Sequence, residues 1–340
     1  MGGQGHHNVM LSPFDIPEGQ RPSHLPLTRG KPTKPPANQQ RLVVASGPLG
    51  LGHREQEFLT MGKQPQPTTA RPVAPYIGGK RNLAARICKI IDQHPHKTYA
   101  EPFVGMGGVF LRRTNPAKAE FINDASRDVY NLFRILQEHY VPFLDLMRFQ
   151  ITTQANFVRL VATDPSPLTD LQRPARFLYI QRPPSGRKLS SPTFGPSGAR
   201  PARFHTPTLD AYLEALHERL SGVTVMCLDF AEFLRRIDRS TALFYLDPPY
   251  FGCESDYGKD VFQRSDFERL SERLSKLKGT FILSINDVPE IRDLFAWATI
   301  ASISTTYTIG KSNSSAAAEL LISNLPDLEE RLDGPPIRTG

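Results

Sequence analysis

The chain has 340 residues, 39% of them hydrophobic, and a formal net charge of +7; that is enough apolar material for one large core with an insertion or a tail, and it excludes a small stapled module. Three cysteines, Cys88, Cys227 and Cys253, stand far apart without a Cys-x-x-Cys pair or a His/Cys cluster, which argues for a reducing compartment and against structural zinc, and no metal is expected. No apolar run approaches the roughly 18 residues of a membrane helix and no secretory signal opens the chain, so the expectation is a cytoplasmic protein with no membrane partner.

The charge is unevenly placed. Residues 1–71 hold eight Lys/Arg against four Asp/Glu, and their Pro, Gly, Gln and His without sustained periodicity predict a disordered tail. Met61 offers an alternative start, so the tail is either an over-extended reading frame or a flexible arm. Between Leu171 and Leu209 stand seven basic residues and no acid, the electrostatic footprint of a polyanion partner. A solvated loop is the plainer alternative.

Order is expected from Pro75-Tyr76-Ile77-Gly78-Gly79-Lys80, followed by a helix with Leu83, Ile87 and Ile90 on one face. Thr98-Tyr99-Ala100-Glu101 then reads as a strand, Pro102 to Gly108 as a Gly-rich turn, and Val109-Phe110 as the opening of a helix. Glu120 to Asp124 is a second strand that ends in an acid 23 residues after Glu101. This is the pattern of a nucleoside-binding βαβ unit, in which glycines admit the ligand to the backbone and the acid takes ribose hydroxyls. No third glycine or Lys-Ser/Thr completes a phosphate loop. Glu101 beside the turn disfavours pyrophosphate and suits a ligand with a cationic centre and an amino-acid tail, such as S-adenosylmethionine.

Beyond Asp124, Ser126 is expected to cap a helix with Val129, Leu132, Phe133 and Leu136 inward. Residues 140–208 interrupt the β/α alternation with two short helical patterns and a Pro/Gly/Ser-rich basic stretch. Phe194 and Phe204 lie among its arginines, as base-stacking or loop-packing residues. A helix through Leu209, Leu213, Leu216 and Leu220 restores the alternation, and strand 223–228 leads to Asp229-Phe230. Strand 242–246 follows. Ser265-Asp266-Phe267-Glu268 reads as a capping box before a helix with Leu270, Leu274 and Leu277 inward. Strand 280–285 runs to Asn286-Asp287, a helix passes through Ile291, Leu294 and Phe295, and strands 299–309 and 318–323 form an antiparallel hairpin. The fold class expected is α/β: a doubly wound sheet, mostly parallel with one reversed strand. Its catalytic domain spans 72–139 and 209–325, with an inserted region at 140–208 and disordered tails at 1–71 and 326–340.

The chemistry concentrates where strand 242–246 meets Asp247-Pro248-Pro249-Tyr250. Neither proline can donate a ladder hydrogen bond, so the strand stops at a stiff corner. There the Asp247 carboxylate and the Pro248 carbonyl are two acceptors that can converge on one amino group carrying two hydrogens, beside the flat face of Tyr250. Gripping both hydrogens of a nucleobase amine draws its lone pair out of the ring system toward an electrophile. A rigid turn without chemistry is the alternative.

Glycine turn, acid after the second strand, Asp-Phe after the third and Asp-Pro-Pro-Tyr after the fourth stand in one order. The set resembles the Dam-like adenine-N6 DNA methyltransferases, over roughly residues 72–325. The matching motifs are Tyr76-x-Gly-Gly-Lys80, Glu101-Pro-Phe-Val-Gly-x-Gly107, Asn123-Asp124 and Asp247-Pro248-Pro249-Tyr250. The resemblance implies a Rossmann-like methyltransferase sheet with S-adenosylmethionine held around Tyr76, Gly79, Lys80, Glu101 and Phe103, and by Gly105, Gly107, Asp124, Asp229 and Phe230. Asp247 would face both cofactor and target amine, and Tyr250 would stack on an adenine flipped out of the duplex. The insertion would be the target-recognition region, with Arg182, Arg187, Lys188, Arg200 and Arg203 on double-stranded DNA. A cognate restriction endonuclease is a further partner the resemblance admits. N4 of cytosine remains an alternative target, since the same acceptors would grip it, and a DNA-binding relative without turnover is a second alternative.

Overall fold

Short apolar runs closed by Gly, Pro or an acid become strands, and runs with apolar side chains at i, i+3 and i+4 become the helices that cover them. The computed structural model describes residues 70–74, 83–150, 153–182, 206–254, 261–309 and 313–333. The chain divides into two units, Met1–Gly62 and Lys63–Gly340, and every described residue belongs to the second.

Among the described residues seven strands form one sheet: β1 (Thr98–Glu101), β2 (Ala119–Asn123), β3 (Thr224–Met226), β4 (Ala242–Leu246), β5 (Thr280–Asn286), β6 (Thr299–Ile309) and β7 (Asn313–Ser323). Their order is β3-β2-β1-β4-β5-β7-β6. β1 to β5 run parallel, whereas β7 is antiparallel to both β5 and β6. This is the mostly parallel sheet with one reversed strand that the sequence predicts. β4 is buried along its whole length, as a strand covered on both faces must be, and hence reads as an unbroken apolar run.

Helices α1 (Ala84–Gln93), α2 (Arg127–Glu138) and α3 (Tyr140–Arg148) pack on one face of the sheet, with α4 (Gln154–Ala162) and α5 (Gln172–Gln181) beyond them. α6 (Thr206–Leu220) joins this layer, while α7 (Phe230–Ile237), α8 (Asp266–Ser275) and α9 (Pro289–Leu294) cover the other face. Side chains alternate between the two faces along each strand: Leu243, Ile282 and Leu321 enter the first core, Phe244, Leu283 and Ile322 the second. Each such fully buried side chain stabilises the fold by about 1.5–3 kcal/mol.

The structure departs from several local expectations. Between 140 and 181 it has three helices, not two, and Phe143, Leu144, Met147, Phe177 and Leu178 from α3 and α5 enter the same core as the sheet. The helix expected at Val109-Phe110 is a single 3-10 turn, Phe110–Arg112; the backbone is already extended at Arg113, whose side chain enters a buried ion pair with Glu120. Ser126 and Ser265 do not cap with their hydroxyls. Asp124 takes the Ser126 N–H at 2.9 Å, and Asp266 takes the Gln263 N–H at 2.8 Å, so a carboxylate does the local work in both places. At the predicted tails, Ala70 is buried, and Leu328–Asp333 forms α10 with Leu328 in the core. Leu325 is buried just ahead of this turn, and Leu332 packs against the same core.

Candidate active site

β1 lies between β2 and β4, so the chain winds outward to β3 on one side and then crosses to build β4 and β5 on the other. Ligands of open α/β sheets sit in the crevice outside the carboxyl ends of the strands at such a switch. Glu101 ends β1 and Asp247 follows β4, one on each side of it. The sheet face that is apolar at Leu243, Ile282 and Leu321 turns polar at this end, with Glu101, Asp247, Ser284, Asn286 and Glu319.

Those side chains hold the Asp247–Tyr250 corner. Pro248 and Pro249 are buried, while Asp247 and Tyr250 are half-buried. The Ser284 hydroxyl lies 2.8 Å from the Tyr245 hydroxyl and donates to Asp247 Oδ1 at 3.4 Å. Asn286 clasps the backbone just beyond the corner: Oδ1 accepts the Phe251 N–H at 2.9 Å and Nδ2 donates to the Phe251 carbonyl at 3.1 Å. The Tyr250 hydroxyl donates to Glu319 Oε1. Two prolines stiffen the corner from within, and β5 and β7 fasten it from beneath.

Across the switch, the glycine turn is tied to the end of β2. Gly105 and Gly107 take φ of 50° and 72°, left-handed values that favour glycine. The Gly105 N–H donates to Asp124 Oδ2 at 2.9 Å. Burial pushes the Asp124 carboxyl up to about 6, against the pull of the Ser126 and Gly105 N–H groups. Its neighbour Asn123 is buried and joins three strand ends: Nδ2 donates to the Pro102 and Leu228 carbonyls at 3.0 Å each, and Oδ1 accepts the Leu228 N–H at 2.8 Å. One amide thus sets the spacing between the glycine turn and the loop that carries Asp229.

Glu101 is buried and accepts the Tyr99 hydroxyl at 2.6 Å. Burial pushes its carboxyl up to about 8; the Tyr99 hydrogen bond and the Arg113 charge oppose this, and the nearby Asp247 charge adds to it. The Arg113 guanidinium lies over the Tyr99 ring at 3.7 Å and pairs with Glu120 at 2.5 Å, and Arg219 holds the other Glu120 oxygen at 2.6 Å. Buried side chains therefore link the Glu120 ion pairs through Arg113 and Tyr99 to Glu101, within range of the Asp247 charge.

Phe103 and Phe230 come together, ring centroids 5.5 Å apart, and Phe262 joins both at 5.8 Å. Asp229 caps α7, accepting from the Ala231 N–H at 2.9 Å, and pairs with Arg269 at 3.0 Å. Arg182 donates to the Val73 carbonyl at 3.0 Å. Of the other basic residues in that stretch, Arg173 donates to the Pro165 carbonyl and Arg176 to those of Leu160 and Val161 at the end of α4; these two serve the fold. Tyr76, Gly79 and Lys80, and likewise Arg187, Lys188, Arg200 and Arg203, lie outside the described residues, as do Phe194 and Phe204. Among the described residues no cluster of His, Cys, Asp and Glu could hold a metal ion, and no helix is long and apolar enough to cross a membrane. Sequence reasoning attached no role to Ser284, Asn286, Glu319 or Tyr99. An acid opening the apolar run Glu319-Leu320-Leu321-Ile322 is the signal that could have marked one of them.

A singly reversed sheet with an Asp-Pro-Pro-Tyr corner at its switch point defines a Rossmann-like methyltransferase. Residues 76–309 match the model of the D12 class N6 adenine-specific DNA methyltransferases. The chain belongs to that family and is a DNA methyltransferase. It is similar to the type II methyltransferase M.CviBI of Paramecium bursaria Chlorella virus NC1A, 21% identical over 227 residues that cover 66% of this chain and 86% of the viral one. Among solved structures it is similar to precorrin 8w decarboxylase from Methanobacterium thermoautotrophicum, 10% identical, covering 75% of this chain and 95% of that one with a TM-score of 0.35. That distance bears no argument.

Proposed function

We propose that this protein transfers a methyl group from S-adenosylmethionine to N6 of an adenine flipped out of double-stranded DNA, in the cytoplasm. The observation that carries the reading is the pair of acids, Glu101 and Asp247, flanking the switch point with the Asp247–Tyr250 corner fastened beside them. The residues fit the cofactor: glycines at 105 and 107 leave the turn open, Asp124 offers a carboxylate for hydroxyls, Phe103 and Phe230 form an apolar wall, and Glu101 is an acid for a cationic group. Tyr76, Gly79, Lys80 and Asp229 complete this set. When bound, S-adenosylmethionine supplies an electrophilic methyl carbon, whose bond to sulfur breaks with its electron pair staying on sulfur as the amine nitrogen takes the methyl; the extra amine proton leaves to water.

The chain's own part is orientation. Asp247 and the Pro248 carbonyl grip the two amine hydrogens, Pro249 keeps the corner rigid, and Tyr250 stacks on the base. Arg187, Lys188, Arg200 and Arg203 hold phosphates, so binding weakens with salt; Arg182, expected among them, donates to the Val73 carbonyl instead. A restriction endonuclease of the same specificity is a partner consistent with the likeness to a type II enzyme. The test is to incubate wild type and Asp247→Ala with labelled S-adenosylmethionine and unmethylated DNA, digest to nucleosides, and identify the labelled base by mass spectrometry. N6-methyladenine from wild type and none from the variant is the expected result. N4-methylcytosine would change the substrate, and tight DNA binding without product would overturn the assignment.

A further inference from the structure

Glu319 is not used by the reading above. It is fully buried, and acids are almost never found so deep unless something holds them. The β5/β7 register sets it opposite Asn286, so the two side chains stand together on one face of the sheet. Asn286 clasps Phe251 and Glu319 takes the Tyr250 hydroxyl, so adjacent side chains on adjacent strands hold adjacent residues of the corner. Ser284, two residues earlier on the same face of β5, reaches Asp247.

The hydroxyl of a tyrosine sits at the far end of the ring axis. An acceptor there fixes where that axis points, and an oxygen on a buried strand side chain is a stationary one. Stacking depends on the lateral offset of two rings. We propose that Glu319 is a positioning residue for transfer, which holds Tyr250 at the angle where the extruded base stacks with its amine over Asp247. This rests on the methyltransferase reading.

The experiment measures kcat and KM for unmethylated DNA with labelled S-adenosylmethionine. Glu319→Ala is expected to lower kcat about 10-fold, the loss of one hydrogen bond that holds the ring. KM for DNA should move less than about 3-fold, because phosphate contacts dominate affinity. Tyr250→Phe removes the same bond from the other side without a cavity and should lower kcat comparably. The double variant should fall no further than the worse single, since both remove one interaction. Glu319→Gln keeps an acceptor in place and should recover most of the loss, which a purely structural defect would not. Multiplying effects in the double variant overturn the proposal, and a Tyr250→Phe kcat equal to wild type overturns it even if Glu319→Ala fails to fold. A wild type that methylates nothing overturns the methyltransferase reading and this one with it; a wild type that methylates DNA beside an equally fast Glu319→Ala overturns this one alone.

Discussion

Asn123→Asp keeps the shape of the side chain and changes one group, which makes it a sharp probe of the strand ends. The Leu228 N–H, 2.8 Å from Oδ1, keeps its acceptor, but the Nδ2 that donates to the Pro102 and Leu228 carbonyls at 3.0 Å becomes an oxygen. A protonated carboxyl can serve one of the two carbonyls. The other loses its partner, at about 1–3 kcal/mol. An ionised carboxyl is worse, because it sets a buried charge against two carbonyl oxygens. The folded protein therefore holds the new carboxyl protonated while the unfolded chain releases its proton near the ordinary pKa of about 3.9. With the folded pKa raised, stability is fullest below the unfolded value and falls as pH rises. The slope between the two pKa values is about 1.4 kcal/mol per pH unit, so the deficit against wild type should widen by up to about 2.7 kcal/mol between pH 5 and pH 7. Urea unfolding of both proteins at the two pH values measures it. A deficit that is small and independent of pH refutes the reasoning, because Asn123 would then not be donating to both carbonyls.

Two further perturbations probe the same frame. Gly107→Ala places a Cβ 2.9 Å from Leu111 Cγ at a φ of 72°; with about 1–2 kcal/mol for the left-handed backbone, thermal unfolding should fall by roughly 5 °C, and an unchanged melting temperature would mean the turn relaxes without resistance. Glu101→Gln keeps an acceptor for the Tyr99 hydroxyl and removes a carboxyl raised from 4.5 to about 8. In wild type that group favours folding fully below its unfolded pKa and the benefit is lost as pH rises through the folded value. The variant should therefore show a flatter stability profile between about pH 5 and 8, and a profile parallel to that of wild type counts against the burial of Glu101.

The β/α alternation and the terminal hairpin were legible because apolar runs such as Leu243 to Leu246 and Leu320 to Ile322 carry their own period and length. The corner and the glycine turn were legible because proline and glycine constrain the backbone wherever they stand. Ser284 and Glu319 were not, since their meaning comes from the register of neighbouring strands, which places them under a corner 37 and 69 residues away in sequence. The serine caps failed for a related reason. Asp124 takes the N–H of Ser126 itself, and Asp266 takes the Gln263 N–H three residues before it, so in both places a carboxylate fixes the chain at the helix start without help from the hydroxyl. In the insertion, Arg176 looked like part of a charged surface and instead binds carbonyls at the end of α4; charge counting cannot distinguish an arginine that faces a phosphate from one that faces its own backbone.

The reversed strand has a consequence for synthesis. The glycine turn, Asn123, Asp124 and Asp229 all leave the ribosome before the corner does, and they can assemble as β1, β2 and β3 pair. The corner emerges next, yet the side chains that fasten it all come later, Ser284 and Asn286 on β5 and Glu319 on β7. β7 must also insert between β5 and β6, which precede it in the chain. The half of the site around Asp124 can therefore mature on the nascent chain, whereas the half around Tyr250 closes only when the final strand docks.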